Sequence, residues 1–304
     1  MKHIIRKIKR LLNTPYYIER STTTILYSQY QNFLIEKMLK DNNPGVTSSM
    51  ICECEVIVSL TTYGKRLYDV AITIESIMQG SMKPNRIILW LDESMTNVRI
   101  PIALQNQQKR GLEIQYCKDI RSYKKLIPTL QQNPDSIIIT IDDDVVYYYD
   151  LVEKLINTHL SSPKDIVANR IHQMVLDKNN KPISYMKWKL CINSTKISPL
   201  NFFTGVGGVL YPPHSLDKEV LNESVYMEIC KFADDVWFNA MALKAGTKVL
   251  KCYTHNNKGE DFLANESVQD IGLLKINTGK NCANDIQLKN VFDYYDLWKL
   301  LREA

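Results

Sequence analysis

From Glu55 onward, short runs of consecutive apolar residues alternate with stretches in which apolar residues return every three or four positions. The runs EVIVSLTT, RIILWLDE, LEIQYC and SIIITI read as strands. Between them lie three amphipathic stretches that read as helices: one in which Leu67, Val70, Ala71, Ile74, Ile77 and Met78 share a face, one from Pro101 to Arg110, and one around KKLIPTLQQ. The succession is β-α-β-α-β-α-β. Near-continuous apolar strands separated by helices predict a largely parallel α/β sheet covered on both faces. Ligands of such sheets gather at the carboxyl ends of the strands, a rule that sets Thr61, Thr62 and Arg66, then Asp92 and Glu93, then Asp142, Asp143 and Asp144 along one rim.

Beyond Asp150 the regularity falls away. A helix to about Leu160 and a short strand DIVANR lead into an irregular hairpin rich in Tyr, Trp and Lys, then FFTGVGGVLYPPH. A helix DVWFNAMALKAG, a strand KVLKCYTH and a terminal helix from Asp285 complete the chain. Residues 256–283 read as a long mobile loop, and loops of that length commonly serve as lids. No linker separates a second domain, so residues 51–304 read as one domain and residues 1–50 as its lead-in.

The lead-in opens with MKHIIRKIKRLL, in which Ile4, Ile5, Ile8, Leu11 and Leu12 recur at helical spacing while Lys2, Arg6, Lys7, Lys9 and Arg10 fill the other side. A basic amphipathic helix of this kind suits the inner face of the cell membrane, with cations on anionic headgroups. Packing of this helix on the domain is the alternative. Across 304 residues, 45% hydrophobic and 23% charged, the composition is that of an ordinary globular chain. No run approaches the roughly 18 apolar residues of a membrane span, and no secretory leader is visible, which predicts a cytoplasmic, peripheral protein. Seven scattered cysteines without a C-x-x-C pair indicate neither a zinc site nor a disulfide framework. The basic residues are not continued as a patch interleaved with aromatics, so nucleic acid is not an expected partner.

The chemistry concentrates in IIITIDDDVVYYYD. Three adjacent carboxylates at a strand end repel one another unless a cation or a row of donors compensates them. A divalent cation is the expected compensator, and hard oxygen ligands suit magnesium or manganese, which share their remaining positions with substrate phosphates. An EF-hand is excluded, because Tyr147 stands where that loop needs glycine. Asp234 and Asp235 open a helix, where one acidic residue is accounted for by capping and the dipole. In GVGGVLYPP, Leu210 occupies the third glycine position of a dinucleotide fingerprint, so Gly205 and Gly207 instead allow a close backbone approach or a tight turn.

Taken together, SLTTYGKR, KKLIPTL, TIDDDVVY, GVGGVLYPPH and ADDVWF resemble the motif succession of bacterial glycosyltransferases of the GT-A fold, specifically family 2-like capsule and lipopolysaccharide enzymes with a D-x-D motif. The resemblance implies a Rossmann-like hexosyltransferase with a nucleotide-binding half over residues 51–150 and an acceptor half over 151–304. The donor implied is a nucleoside diphosphate sugar such as a UDP-sugar, and the acceptor a surface glycan, possibly lipid-linked. Carried over by position, Asp142 and Asp144 are the metal ligands, with His255 as a further one. Thr61, Thr62, Arg66, Asp92, Lys125, Asp142 and Asp143 surround the nucleotide. Asp235 is the general base of an inverting displacement with Asp234 beside it, and Gly207, Gly208 and Trp237 line the sugar or acceptor. Two other readings compete: a phosphohydrolase of the haloacid dehalogenase type using Asp142 and Asp144, disfavoured because three strand-helix units precede the aspartates, and a non-catalytic sugar-nucleotide-binding module.

Overall fold

The computed structural model describes residues 22, 25–264 and 283–301; the basic segment 1–12 and most of the 256–283 loop lie outside the described residues. A helix over residues 25–40 (α1) leads in, and the chain after it is tied to the body where the Gly45 amide donates to the Arg110 carbonyl and Arg110 pairs with the buried Glu75 at 2.9 Å. Strands β1 (Val56–Thr61), β2 (Arg86–Asp92), β3 (Leu112–Cys117) and β4 (Ile137–Thr140) then alternate with helices α2 (Val70–Met78), α3 (Ile102–Gln108) and α4 (Ile127–Gln132), as the hydrophobic pattern predicts. Leu67 stands before α2, in a 3-10 turn, rather than within the helix.

The second half is β5 (Val145–Tyr147), α5 (Leu151–Ser161), β6 (Ile166–Ala168), β7 (Ile171–Gln173), β8 (Asn201–Phe203), β9 (Val209–Tyr211), α6 (Glu223–Ile229), α7 (Asp234–Ala245), β10 (Val249–Lys251), β11 (Phe262–Ala264) and α8 (Ala283–Tyr294). Two of these elements correct the sequence reading. Residues 145–147 form a strand rather than a connection, and residues 262–264, inside the expected loop, pair antiparallel with it.

The central sheet has seven strands in the order β10-β6-β9-β4-β1-β2-β3, and within it only β9 runs against its neighbours. This is the mostly parallel sheet that the pattern predicted. Successive side chains of β4 point to opposite faces: Ile137 and Ile139 pack with the buried side of α2 and with Leu155 of α5, whereas Ile138 packs with Trp237, Phe238 and Val291 of α7 and α8. All are within a few per cent of full burial, and each such aliphatic side chain contributes about 1.5–3 kcal/mol.

Two topological features create the site. Strand order reverses at β1, since β2 and β3 lie on one side and β4 on the other, which opens a crevice between the carboxyl ends of β1 and β4. The antiparallel direction of β9, with Thr140 opposite Val209, carries the glycine-rich turn that precedes it to the rim where β4 ends.

Candidate active site

The triplet is held from below by α2. Thr73 Oγ1 donates to the carbonyls of Asp143 and Val145 at 3.1 and 2.7 Å, and Ser76 Oγ accepts the Tyr147 amide at 3.2 Å. The buried Tyr147 hydroxyl accepts the Asp142 amide at 3.0 Å and donates to the Val206 carbonyl at 2.9 Å, which pins the triplet to the glycine-rich turn. Each carboxylate of the triplet meets a partner from another element. Asp143 accepts Thr62 Oγ1 at 2.6 Å and Arg66 Nη1 at 2.8 Å, Asp144 meets Arg66 Nη2 at 3.1 Å, and Asp142 meets Lys125 Nζ at 2.9 Å.

The charge argument made from sequence alone therefore needs correcting. Two buried cations compensate the triplet, so its crowding does not by itself require a metal. Among the described residues no group of three or more His, Cys, Asp or Glu side chains forms a standing metal cage. Asp142 and Asp144 nevertheless keep 29% and 12% of their side-chain surface exposed, whereas Asp143 keeps 7%. Two accessible carboxylates fit an ion that arrives with a diphosphate, because magnesium-type ions are commonly held by one or two carboxylates plus substrate phosphates. Asp143 is the scaffold member: burial raises its pKa to about 6 against the opposing pull of Arg66 and the Thr62 hydroxyl.

Lys125 ends the 3-10 turn Arg121–Lys125 between β3 and α4, and its ammonium joins the donor-side rim to the head of α7. Besides Asp142 it contacts Asp234 Oδ2 at 2.9 Å and Asp235 Oδ1 at 3.9 Å. Burial pulls the Lys125 pKa down, but the three carboxylates outweigh it and hold the value well above that of an ordinary lysine. Asp234 is 10% exposed and also accepts Ser122 Oγ at 2.8 Å, so it is a positioning residue rather than a group free to react. Asp235 differs. It is 31% exposed, takes the Gly205 amide on Oδ1 at 3.0 Å, and its Oδ2 has no hydrogen-bond partner among the described residues. Burial of the carboxyl group, opposed by Lys125 and assisted by Asp234 and Asp142, raises its pKa to about 7.

Gly205, rather than its later neighbours, is the glycine that faces this chemistry. A Cβ there would lie 2.4 Å from Lys125 Nζ and 3.0 Å from Asp235 Oδ1. Gly207 instead packs on the Arg170 backbone, and Gly208 adopts φ 89° over Leu151, a conformation that side chains rarely take. Gly207 and Gly208 thus serve as a close backbone contact and a turn, the two roles that the glycine-rich sequence offers.

Three further expectations change. Trp237 is fully buried, with Nε1 donating to the Val220 carbonyl at 3.1 Å and its ring against Tyr226 and Tyr295; it belongs to the core and offers no face to a sugar. His255 hydrogen-bonds Asp150 at 2.7 Å and its amide is held by Asp261, which pairs with the buried Lys154; this polar cluster is separate from the triplet's partners. Thr61 turns its hydroxyl back onto the Trp90 carbonyl at 2.9 Å, unlike Thr62. Asp92 caps the turn after β2 through the Ser94 amide and stands 4.0 Å from Lys124, one strand along the rim.

The site thus assembles Thr62, Arg66, Lys125, Asp142, Asp143, Asp144, Gly205, Asp234 and Asp235. Of the contributors that sequence reading did not single out for the site, Tyr147 carries a faint signal, as a hydroxyl in an apolar strand just past the triplet. Ser122 carries none.

No family model matches the chain, and no curated protein matches it. Solved structures do. A mannosyltransferase from Pyrobaculum calidifontis in complex with GDP-Man and Mn2+ aligns over 91% of this chain and 72% of its own, at 13% identity and a TM-score of 0.47. A CMP:2-keto-3-deoxy-manno-octonic acid synthetase complexed with CTP aligns over 74% and 99%, at 11% identity and 0.40. The S. aureus TarS fragment in complex with UDP aligns over 65% and 58%, at 15% identity and 0.39. At this level of likeness none of these activities transfers to the chain.

Proposed function

We propose that the protein is a metal-dependent glycosyltransferase that moves a sugar from a nucleoside diphosphate donor, of which a UDP-sugar is the first to test, to a hydroxyl of a surface glycan. The observation that carries this reading is the Lys125 bridge: one ammonium joins Asp142, at the ligand-gathering end of β4, to Asp234 and Asp235 at the head of α7. It sets a partly exposed carboxylate with a pKa near neutrality beside a rim suited to phosphate.

In this mechanism Asp142 and Asp144 would hold a magnesium or manganese ion brought with the donor, which would supply positive charge for the leaving diphosphate. Arg66 and Thr62 keep Asp143 in place and so fix the backbone of the two ligands. Lys125 adds positive charge on the side where the leaving group becomes negative. Asp235 Oδ2 accepts the proton of the acceptor hydroxyl as that oxygen attacks the anomeric carbon from the face opposite the diphosphate, giving inversion. The Gly205 amide on Oδ1 aims the carboxylate. Attachment of residues 1–12 to the inner membrane surface would bring this site to a lipid-linked acceptor, and belongs to the same proposal.

Calorimetric titration with UDP, with and without manganese, tests the donor side. Binding that needs both the metal and Asp144, and that disappears in Asp144→Ala, is the expected result. Metal-independent binding, or none, would overturn the metal-bridged donor site.

A further inference from the structure

The excursion between β7 and β8 carries an uneven charge. Residues 177–196 contain Lys178, Lys181, Lys187, Lys189 and Lys196 against one acidic residue, Asp177, whose carboxylate is taken up by the Asn179 and Lys181 amides at 2.8 and 3.0 Å. All five lysines are exposed and among the described residues none pairs with a carboxylate, although Lys181 Nζ lies over the Trp298 ring at 5.5 Å, which leaves Lys178, Lys187, Lys189 and Lys196 without a partner there. Elsewhere among the described residues Lys40, Lys118, Lys244, Lys289 and Lys299 pair with carboxylates while the exposed Lys109, Lys164, Lys218 and Lys248 do not, so what sets the excursion apart is the density of lysines in one short stretch.

The excursion is also anchored next to the candidate base. Asp235 takes the Gly205 amide, and the amide of the preceding Thr204 donates to the Arg170 carbonyl at 3.2 Å. Arg170 Nε in turn pairs with Glu260 Oε2 at 2.9 Å and lies 3.2 Å from Cys191 Sγ, and Lys189 exchanges backbone hydrogen bonds with Gln173 at 2.8 and 3.1 Å. Because β6 and β4 both pair antiparallel with β9, they run in the same direction, and Arg170, just past the end of β6, emerges at the same rim as the triplet. Four lysines without a partner among the described residues, in a segment anchored beside Asp235, favour a negatively charged ligand there.

We propose that the excursion is the acceptor-binding surface for a polyanionic glycan, one carrying phosphate or carboxylate groups along its length, with the unpaired lysines holding its charges while a hydroxyl reaches Asp235. The inference rests on the transferase reading for the word acceptor. A lipid surface is less well matched, because the exposed Met186, Leu190 and Ile197 are scattered through irregular chain and form no helical stripe.

The test measures binding of the full chain to dextran, carboxymethyl-dextran and phosphorylated dextran of matched length, and to phosphatidylglycerol vesicles, at low and high salt. A Lys187→Glu/Lys189→Glu/Lys196→Glu variant is compared with a Lys40→Glu/Lys109→Glu control at the opposite end of the sheet. Expected are binding of one or both charged polymers but not dextran, about a tenfold or greater weakening in the triple variant alone, and weakening by salt in the unaltered chain. The two charged polymers distinguish carboxylate from phosphate. Equal loss in the control, binding of neutral dextran as tight as that of the charged forms, or a triple variant that loses only anionic vesicles would overturn the proposal. UDP titration on the same samples separates the two readings: intact UDP binding without polyanion binding defeats this inference alone, and absent UDP binding defeats the donor reading.

Discussion

Lys125 Nζ lies 2.9 Å from Asp142 Oδ1, a contact that ties the end of the third strand-helix connection to the end of β4. The same ammonium holds Asp234 at 2.9 Å, so one buried charge fixes the distance between the two acidic motifs of the chain. Removing it leaves three converging carboxylates without their common cation. Lys125→Met is expected to destabilise the fold by about 3–5 kcal/mol in urea unfolding at neutral pH. Lys125→Arg should recover part of that loss. A stability change under about 1 kcal/mol in Lys125→Met would show that the bridge is not structural.

Asp235→Asn separates chemistry from binding. The amide keeps the shape and can still accept the Gly205 amide, but it cannot take a proton. Sugar transfer should fall by about 10²–10⁴-fold while UDP affinity stays within about twofold. Retained transfer would remove Asp235 from the base role.

The pH dependence follows from the raised pKa of Asp235, about 7 against 3.8 for a free aspartate. Between those values the folded state binds more protons than the unfolded state. The contribution of Asp235 to stability therefore declines as pH rises through that window. Activity has the opposite slope, because the base must be ionised: kcat/KM should rise with pH and level off above about 7. A flat profile between about pH 5 and about pH 9, roughly two units either side of neutrality, would contradict proton transfer to this group.

Gly205→Ala puts a methyl group where Lys125 Nζ and Asp235 Oδ1 now approach. The backbone there does not require glycine by its φ angle, so the fold should survive with a normal circular dichroism spectrum. Transfer should drop by roughly 10–100-fold through displacement of the base. The matching change at Gly208, whose φ is 89°, should lower the melting temperature instead.

Trp237→Ala should cost about 3–5 kcal/mol of stability, the price of emptying a fully buried indole site, and leave donor affinity per folded molecule unchanged. A selective loss of sugar affinity at unchanged melting temperature would restore the ligand-facing role.

Local pattern was enough for the elements and for the rim. Ile137 to Ile139 is a continuous apolar run and Val56 to Leu60 one broken only by Ser59, a pattern suited to a sheet covered on both faces, and that sheet puts Thr62 and Asp143 at adjacent strand ends, 2.6 Å apart through oxygen. The aspartate triplet, Lys125 and Asp235 were legible as charged residues where loops meet that rim. What compensates the triplet was decided by tertiary structure, since Arg66 and Lys125 reach it from 77 and 17 positions away and no local period encodes such meetings. The same holds for residues whose type admits two fates. Trp237 and His255 could face a ligand or the interior, and the packing of α7 on α8 and the hydrogen bond to Asp150 chose the interior for one and a separate polar cluster for the other. Which of three glycines meets Lys125 depended on the antiparallel insertion of β9. Side-chain chemistry and hydrophobic period are properties of neighbours in sequence, whereas charge pairing and close approach are properties of neighbours in space.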